Sequence, residues 1–102
     1  MAIRQWMSVD VKERLSSEKP LQIVDVREPH EFNSGHIPGA KHIPLGELQA
    51  RHQEIDKNLE TVVVCYSGGR SSVACNFLQG VGYSNLYNLM GGMSAWDGPV
   101  ER

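Results

Sequence analysis

The chain has 102 residues, of which 40% are hydrophobic and 22% charged, and its formal net charge at pH 7 is −2. This length fits one domain of common size, predicted over residues 1–102, and the composition is that of an ordinary globular protein. The near-neutral charge provides no basic face for nucleic acid or an anionic membrane, and no segment approaches the ~20 apolar residues that span a bilayer. We therefore expect neither nucleic acid nor a membrane among its partners.

The cysteine content indicates the compartment. A disulfide-stapled secreted domain of this size usually has four or more cysteines, whereas this chain has only Cys65 and Cys75. Residues 1–6 lack the long apolar core of a signal peptide. We therefore predict a cytoplasmic protein, in which thiols stay reduced and a single cysteine is free for chemistry.

The first predicted elements are a helix and a strand. Val11 and Leu15 repeat at helical spacing after Ser8, which is therefore expected to cap a short helix. A polar stretch that ends at Pro20 then breaks the helix. Residues 21–26 follow, and their β-branched side chains predict a strand.

The middle of the chain alternates between a loop and regular elements. Residues 27–44 contain three prolines and two glycines, which predicts a long fixed loop with a helical turn near residues 30–33. Residues 45–52 then predict a short helix. The unbroken apolar run at residues 61–64 is typical of a strand that is buried on both faces, as in parallel sheets.

The last third of the chain predicts a helix, a strand and a final turn. The helix is expected to begin at Ser71 and to run through Gln79. Its predicted inner stripe consists of Val73, Ala74, Phe77, Leu78 and Val81. Residues 86–89 read as the last strand, and two glycines at 91–92 then turn the chain into a short helix that holds Trp96.

Strands that alternate with helices predict an α/β domain with a mainly parallel central sheet flanked by helices on both faces. In such sheets, the functional crevice lies at the carboxyl ends of the strands. Cys65 falls at this place, because it comes directly after the buried strand at residues 61–64.

The loop at residues 65–71, with the sequence C-Y-S-G-G-R-S, is the candidate active site. Two glycines, Gly68 and Gly69, let the backbone curl so that its N–H groups form a nest for an anion, and the following helix adds its positive end. A thiol at this point is favoured as the thiolate, the nucleophilic form. Arg70 either stabilises this thiolate or binds an anionic substrate. A cysteine after a valine run can also be a small buried apolar residue, but the glycines and arginine that follow disfavour that interpretation.

The chain resembles the rhodanese family of single-domain sulfurtransferases over nearly everything from Trp6 to Asp97, and four separated segments carry the resemblance. The segments are D-V-R-E at 25–28 with E-F at 31–32, G-H-I-P-G-A at 35–40 with I-P at 43–44, the loop at 65–71, and residues 89–96 with Gly91, Gly92 and Trp96. Each segment alone is a weak signal. Their order and spacing together make the resemblance specific.

The resemblance implies a two-step sulfur transfer that needs no metal and no organic cofactor. Cys65 would take the outer sulfur of a donor such as thiosulfate and become a persulfide, held by the loop residues Tyr66, Ser67, Gly68, Gly69 and Arg70. The sulfur would then pass to a thiophilic acceptor, namely cyanide or a thiol such as that of a thioredoxin-like protein. A small-molecule donor and a thiol acceptor are thus the expected partners.

Two other functions remain as alternatives. Protein tyrosine phosphatases and arsenate reductases of related fold also use a loop cysteine, but the phosphatase loop places five residues between cysteine and arginine. Four residues separate Cys65 from Arg70, and this smaller ring fits one sulfur atom better than a tetrahedral oxyanion. A non-catalytic rhodanese module is the second alternative, and inactive members of the family typically lack the cysteine.

Several residues support the predicted site. Asp25 and Arg27 fall on the same side of a strand end near the predicted crevice, where we expect a buried pair that fixes the loop. The alternative is that the pair tunes the active site, with Arg27 near the substrate. Ser71 is expected to cap the helix first and to contact the ligand second. Ser67 leaves the donor open, because some thiosulfate-preferring members of the family have lysine there and mercaptopyruvate-preferring members have serine. Cys75 is expected to be a packed small residue rather than a resolving thiol.

Overall fold

A computed structural model describes residues 3–102; Met1 and Ala2, the start of the predicted domain, lie outside the described residues. The strands are β1 (Arg4–Trp6), β2 (Gln22–Asp25), β3 (Lys41–His42), β4 (Thr61–Val64) and β5 (Leu86–Leu89). The helices are α1 (Ser8–Ser16), α2 (Pro29–Asn33), α3 (Leu48–Arg51) and α4 (Gly69–Gly80). Single 3-10 turns occupy Leu45–Glu47, His52–Glu54 and Gly92–Ala95. Among residues 3–102, no helix is both long enough and apolar enough to cross a membrane.

The five strands form one parallel sheet with the spatial order β1-β5-β4-β2-β3. Alternation along β4 divides the core into two layers. Val62 and Val64 face the layer that contains Val11 of α1, whereas Val63 faces the layer that contains Leu78 of α4. Each side chain is fully buried, and burial of one such group contributes about 1.5–3 kcal/mol. The predicted parallel sheet with helices on both faces is therefore confirmed.

The two edge strands were not predicted. Strand β1 has three residues and β3 has two, and both are mostly exposed. A strand of this length has no hydrophobic period to detect, and it exists because the neighbouring strand supplies hydrogen-bond partners. Parallel pairing of β1 with β5 and of β3 with β2 is therefore a tertiary effect that a local pattern does not report.

The start of α1 differs from the prediction. Ser8 is the first residue of the helix, and the capping position belongs to Met7. The carboxylate of Asp10 accepts a hydrogen bond from the Met7 backbone N–H at 2.8 Å, so an acidic side chain in the first turn stabilises this end. Val11 is fully buried, whereas Leu15 remains 36% exposed, so the helix contacts the sheet mainly through its first two turns.

The start of α4 also differs, and this difference matters for the site. The helix begins at Gly69, because Gly68 adopts a left-handed φ of +106° that turns the chain directly after the loop. Ser71 is therefore inside the first turn instead of at the cap. Val73, predicted to face inward, is 58% exposed, and Cys75 takes the buried position. The prediction of the inner stripe of α4 was wrong at Val73, because the loop, and not the apolar residues of the helix, determines how its first turn is oriented.

The strand order reverses between β2 and β4. The chain leaves β2 towards β3 on one side, and it leaves β4 through α4 towards β5 on the other side. At such a switch point, the two connections diverge and open a crevice outside the carboxyl ends of the strands. Cys65 follows β4 directly, and α2 follows β2, so the loop at residues 65–71 and α2 flank this crevice.

Candidate active site

Cys65 lies at the switch point with its sulfur under the first turn of α4. The residue is only 1% exposed. The backbone N–H of Gly68 donates a hydrogen bond to Sγ at 3.0 Å, and the Ser71 hydroxyl oxygen is 3.4 Å from the same atom. The left-handed turn at Gly68 makes this geometry, because it directs the free N–H groups of the helix start back towards the sulfur.

Two opposing effects act on the pKa of the Cys65 thiol. Burial is the largest, and it raises the pKa because a thiolate loses its hydration. Hydrogen bonds from the Ser71 hydroxyl and from the backbone N–H groups of Ser71, Gly68 and Ser67 act against burial and together outweigh it. The net result is a lowered pKa, so the thiolate is favoured in a site that water hardly reaches.

The Ser71 hydroxyl lies near more hydrogen-bond acceptors than its single hydrogen can bond. Its oxygen lies within hydrogen-bond distance of Sγ of Cys65, of the Gly68 carbonyl at 3.2 Å and of the Asn88 side-chain oxygen. A hydroxyl carries one hydrogen, so these three acceptors compete. The Asn88 amide nitrogen in turn donates to the side-chain oxygen of Gln5 at 2.8 Å and to the hydroxyl of Ser72 at 3.2 Å. A chain of polar side chains therefore runs from the exposed Gln5 of β1 through the buried Asn88 of β5 to the reactive sulfur.

The 3-10 turn Gly92–Ala95 holds the backbone of the loop. The N–H groups of Met93 and Ser94 donate to the carbonyl oxygens of Cys65 and Tyr66, each at 2.8 Å. Gly92 has a φ of +54°, and a Cβ at this position would lie 2.6 Å from the Tyr66 carbonyl carbon and would also collide with the Cys65 carbonyl oxygen. Glycine is therefore required for the turn to approach the loop this closely.

The guanidinium of Arg70 pairs with Glu31 of α2. Its Nη1 and Nη2 donate to Oε1 and Oε2 of Glu31 at 2.7 and 2.8 Å, a bidentate arrangement. The hydrogen bond from Arg70 is the main cause that lowers the pKa of Glu31 to about 2, although burial opposes it. The same ion pair raises the pKa of Arg70, and the charge of Cys65 contributes to this increase.

Asp25 and Arg27 form the buried pair that the strand pattern predicted. The Arg27 guanidinium donates to both carboxylate oxygens of Asp25 at 2.8–3.1 Å and to the Gly35 carbonyl at 2.8 Å. Both residues are less than 5% exposed. Within the described part of the chain, none of the side-chain hydrogen bonds of this pair reaches the Cys65 loop. The contacts tie the end of β2 to the long loop at residues 27–44.

The remaining loop residues line the surface. Tyr66 is 56% exposed, and Ser67 and Gly69 are also exposed, whereas Gly68 is buried beneath the turn. The structure thus brings Cys65, its N–H donors and Ser71 together and leaves the Tyr66 and Ser67 side chains at the entrance. Cys75 and Cys65 are both free, and no group of three or more His, Cys, Asp or Glu within residues 3–102 has the arrangement of a metal site.

Sequence reasoning missed three residues of this site. Asn88 had a detectable signal, because it is a polar residue inside a strand that is otherwise apolar and buried at every position. Glu31 was noted only as part of a segment, and its partner, Arg70, lies 39 positions away. The tight approach of Gly92 to the loop had only the glycine pair as its signal.

The family is settled by a comparison of the whole chain with known families. The Rhodanese-like domain model matches residues 8–98. The chain belongs to the rhodanese family. A crystal structure of a rhodanese-like domain protein from Staphylococcus aureus superposes with a TM-score of 0.91 at 35% identity and covers 97% of each chain. The predicted family and fold are thereby confirmed.

Two curated relatives of this rhodanese indicate which class of activity to expect. It is 38% identical to the thiosulfate sulfurtransferase GlpE of Shewanella oneidensis over 96 residues. These residues are 94% of this chain and 95% of the relative. It is 40% identical over 90 residues to YrkF of Bacillus subtilis, but these residues are 88% of this chain and only 49% of YrkF, so the chain spans about half of that protein. Family and relatives together support a sulfurtransferase enzyme.

Proposed function

We propose that this rhodanese transfers a sulfane sulfur from thiosulfate or a related donor to a thiophilic acceptor through a persulfide on Cys65. The observation that carries the proposal is the contact of the Gly68 N–H and the Ser71 hydroxyl with a buried sulfur at the switch point. This arrangement favours the thiolate, and it offers donors to the negative charge that a persulfide retains.

In the first step, the Cys65 thiolate attacks the outer sulfur of thiosulfate. A bond forms between Sγ and that sulfur, the S–S bond of thiosulfate breaks, and sulfite leaves with the electron pair. The dianionic sulfite carries away two charges, and the persulfide anion keeps one, so charge is balanced without an oxidant or a proton. The N–H groups around Sγ remain in place for the terminal sulfur.

In the second step, cyanide or a thiolate attacks the terminal sulfur, and the electron pair returns to Sγ of Cys65. The acceptor must reach a residue that is 1% exposed, so it approaches through the entrance lined by Tyr66 and Ser67. A small anion satisfies this requirement, and so does a cysteine on a protruding loop of a thioredoxin-like protein. We propose these two acceptor classes, and no step calls for a metal or an organic cofactor.

Intact mass spectrometry after treatment with thiosulfate tests the proposal. The wild-type protein should gain the mass of one sulfur atom and lose it when cyanide is added. Cys65→Ala should gain nothing, whereas Cys75→Ala, the matched removal of the other thiol, should gain and lose sulfur like the wild type. No gain on the wild type, or an equal gain on Cys65→Ala, would refute the mechanism. Release of phosphate from an aryl phosphate without sulfur loading would instead assign the loop to a phosphatase.

A further inference from the structure

The ion pair between Glu31 and Arg70 spans the crevice at the switch point. Glu31 belongs to α2, which follows β2, and Arg70 belongs to the first turn of α4, which follows β4. The side chains are 22% and 37% exposed, so the pair sits at the mouth of the site and not in the core. Any anion that approaches Cys65 therefore meets this carboxylate as well as the guanidinium.

The carboxylate of Glu31 is held in place from two sides. Arg70 binds both of its oxygens, and the backbone N–H of Glu28 donates to Oε1 at 3.1 Å. These contacts keep Glu31 ionised throughout the pH range in which a thiolate enzyme works, since they lower its pKa to about 2. Glu31 is thus a permanent negative charge bound to Arg70, the cation of the loop that interacts electrostatically with Cys65.

The negative charge of Glu31 offsets the positive charge of Arg70. Residues 65–71 contain one formally charged cationic side chain, that of Arg70, and Ser67 adds none. With Glu31 paired to Arg70, the side chains of the mouth have no net positive charge to offer to a dianion. What remains for an anion is the set of backbone N–H groups around Sγ, whose partial charges act only at short range.

We propose that Glu31 is a specificity-determining residue that disfavours doubly charged sulfur donors relative to singly charged ones. The inference rests on the proposed function, since it concerns the donor of that reaction. Interaction with a fixed charge is proportional to the charge of the ligand, so the repulsion by Glu31 acts twice as strongly on thiosulfate as on a monoanion. The physiological donor is accordingly expected to carry one negative charge, as a persulfide or a thiosulfonate does.

A series of reagents with increasing charge tests this inference through Glu31→Gln. The substitution removes the charge and keeps a side chain of the same length with an oxygen for the Glu28 N–H. The reagents are iodoacetamide (neutral), iodoacetate (−1), benzenethiosulfonate (−1) and thiosulfate (−2), and all react with Cys65. Relative to iodoacetamide, we expect about a threefold gain for each monoanion and about a tenfold gain for thiosulfate.

Glu54→Gln is the matched control. Glu54 also pairs with an arginine through two oxygens, with distances to Arg51 of 2.8 and 3.1 Å, and its side chain is also partly exposed. Its other charged neighbour is Lys41 of the edge strand β3 at 4.0 Å, and within the described residues none of its ion pairs or side-chain hydrogen bonds involves residues 65–71. All four rate constants of this variant should stay within about twofold of the wild-type values, which is the range of ordinary surface substitutions.

A second measurement varies the salt concentration. The ratio of the iodoacetate rate to the iodoacetamide rate should be higher in Glu31→Gln than in the wild type at about 0.01 M salt. This difference should shrink as salt rises to about 0.5 M, because salt screens the charge that the substitution removes, whereas the charges of the thiolate and of Glu28 are common to both proteins. Equal gains with all four reagents, or a difference between the two proteins that is the same at about 0.01 and 0.5 M salt, would overturn the inference. If the alkylating reagents follow the series but no variant transfers sulfur, the charge effect of Glu31 stands and the proposed function fails.

Discussion

The two cysteines of this rhodanese are both free and almost fully buried, yet the pKa values of their thiols are shifted in opposite directions. Cys65 at the end of β4 is 1% exposed and has a lowered pKa. Cys75 inside α4 is 0% exposed, and burial, with a smaller contribution from the nearby charge of Cys65, raises its pKa to about 12. Burial is therefore common to both residues and cannot be what activates one of them.

The difference lies in which backbone groups are available. Cys65 faces the start of α4, where the first N–H groups have no partner within the helix and can donate to a sulfur. Cys75 lies in the interior of the same helix, where each N–H is already used by the carbonyl four residues earlier. One helix thus activates the thiol before its first turn and leaves the thiol in its second turn inert.

The largest expected effect is the selectivity of alkylation. With a pKa of about 12, Cys75 is ionised in only about 1 molecule in 10⁵ at pH 7, whereas the thiolate of Cys65 is favoured. Iodoacetamide at pH 7 should therefore label Cys65 at least about 10³-fold faster than Cys75. Peptide mapping by mass spectrometry after a short reaction measures the ratio.

Unfolding the protein provides the control for this measurement. In guanidinium chloride, both thiols lose their surroundings and should react at similar rates. Labelling of Cys75 at a comparable rate in the folded protein would break the comparison, because it would mean that the interior of α4 opens often enough to expose its thiol.

The next effect concerns the turn that holds the activated thiol. Gly92→Ala would place a Cβ against the carbonyl groups of Cys65 and Tyr66, and φ at this position is +54°. The loop must shift to accommodate it, so we expect a loss of about 2–4 kcal/mol in the free energy of unfolding and a slower alkylation of Cys65. Chemical denaturation and the rate of iodoacetamide labelling measure the two consequences.

Gly46→Ala is the matched control for the glycine substitution. Gly46 is exposed in a 3-10 turn, and a Cβ there would meet no atom within 4 Å. Its effect on the free energy of unfolding should remain below about 1 kcal/mol. A Gly92→Ala variant as stable as Gly46→Ala would contradict the view that close approach of the turn holds the loop.

The parts of this structure that could be predicted from the sequence are those encoded by neighbouring residues. The apolar run of β4, the cysteine directly after it and the glycines that follow were sufficient to place the nucleophile at a strand end beneath a helix. The parallel sheet followed from the alternation of elements. In each case the physical cause, burial on both faces or a turn at Gly68, acts within a few residues of the pattern that reports it.

The parts that could not be predicted depend on distant residues. Arg70 was expected to act towards the sulfur or the substrate, but its partner, Glu31, comes from another connection of the sheet. Asn88 reaches Ser71 only because β5 pairs with β4 in one particular register. Val73 faces solvent because the loop determines the direction and orientation in which α4 begins. Charge balance and hydrogen-bond competition at the site are therefore properties of the assembled sheet.

The smallest expected effect tests how much one hydroxyl, that of Ser71, contributes to the difference between Cys65 and Cys75. Ser71→Ala removes a donor to Sγ of Cys65, so the protonated thiol gains relative to the thiolate and the midpoint of the pH profile for alkylation moves to higher pH. On the acidic side of the profile, the rate should fall about fivefold, as expected for one hydrogen bond of about 1 kcal/mol. Ser72→Ala is the matched control, because its hydroxyl donates to Gly68 and accepts from Asn88 without a hydrogen bond to the sulfur. An unchanged midpoint in Ser71→Ala would mean that Asn88 or the Gly68 carbonyl holds the hydroxyl hydrogen, and that the backbone N–H groups alone distinguish Cys65 from Cys75.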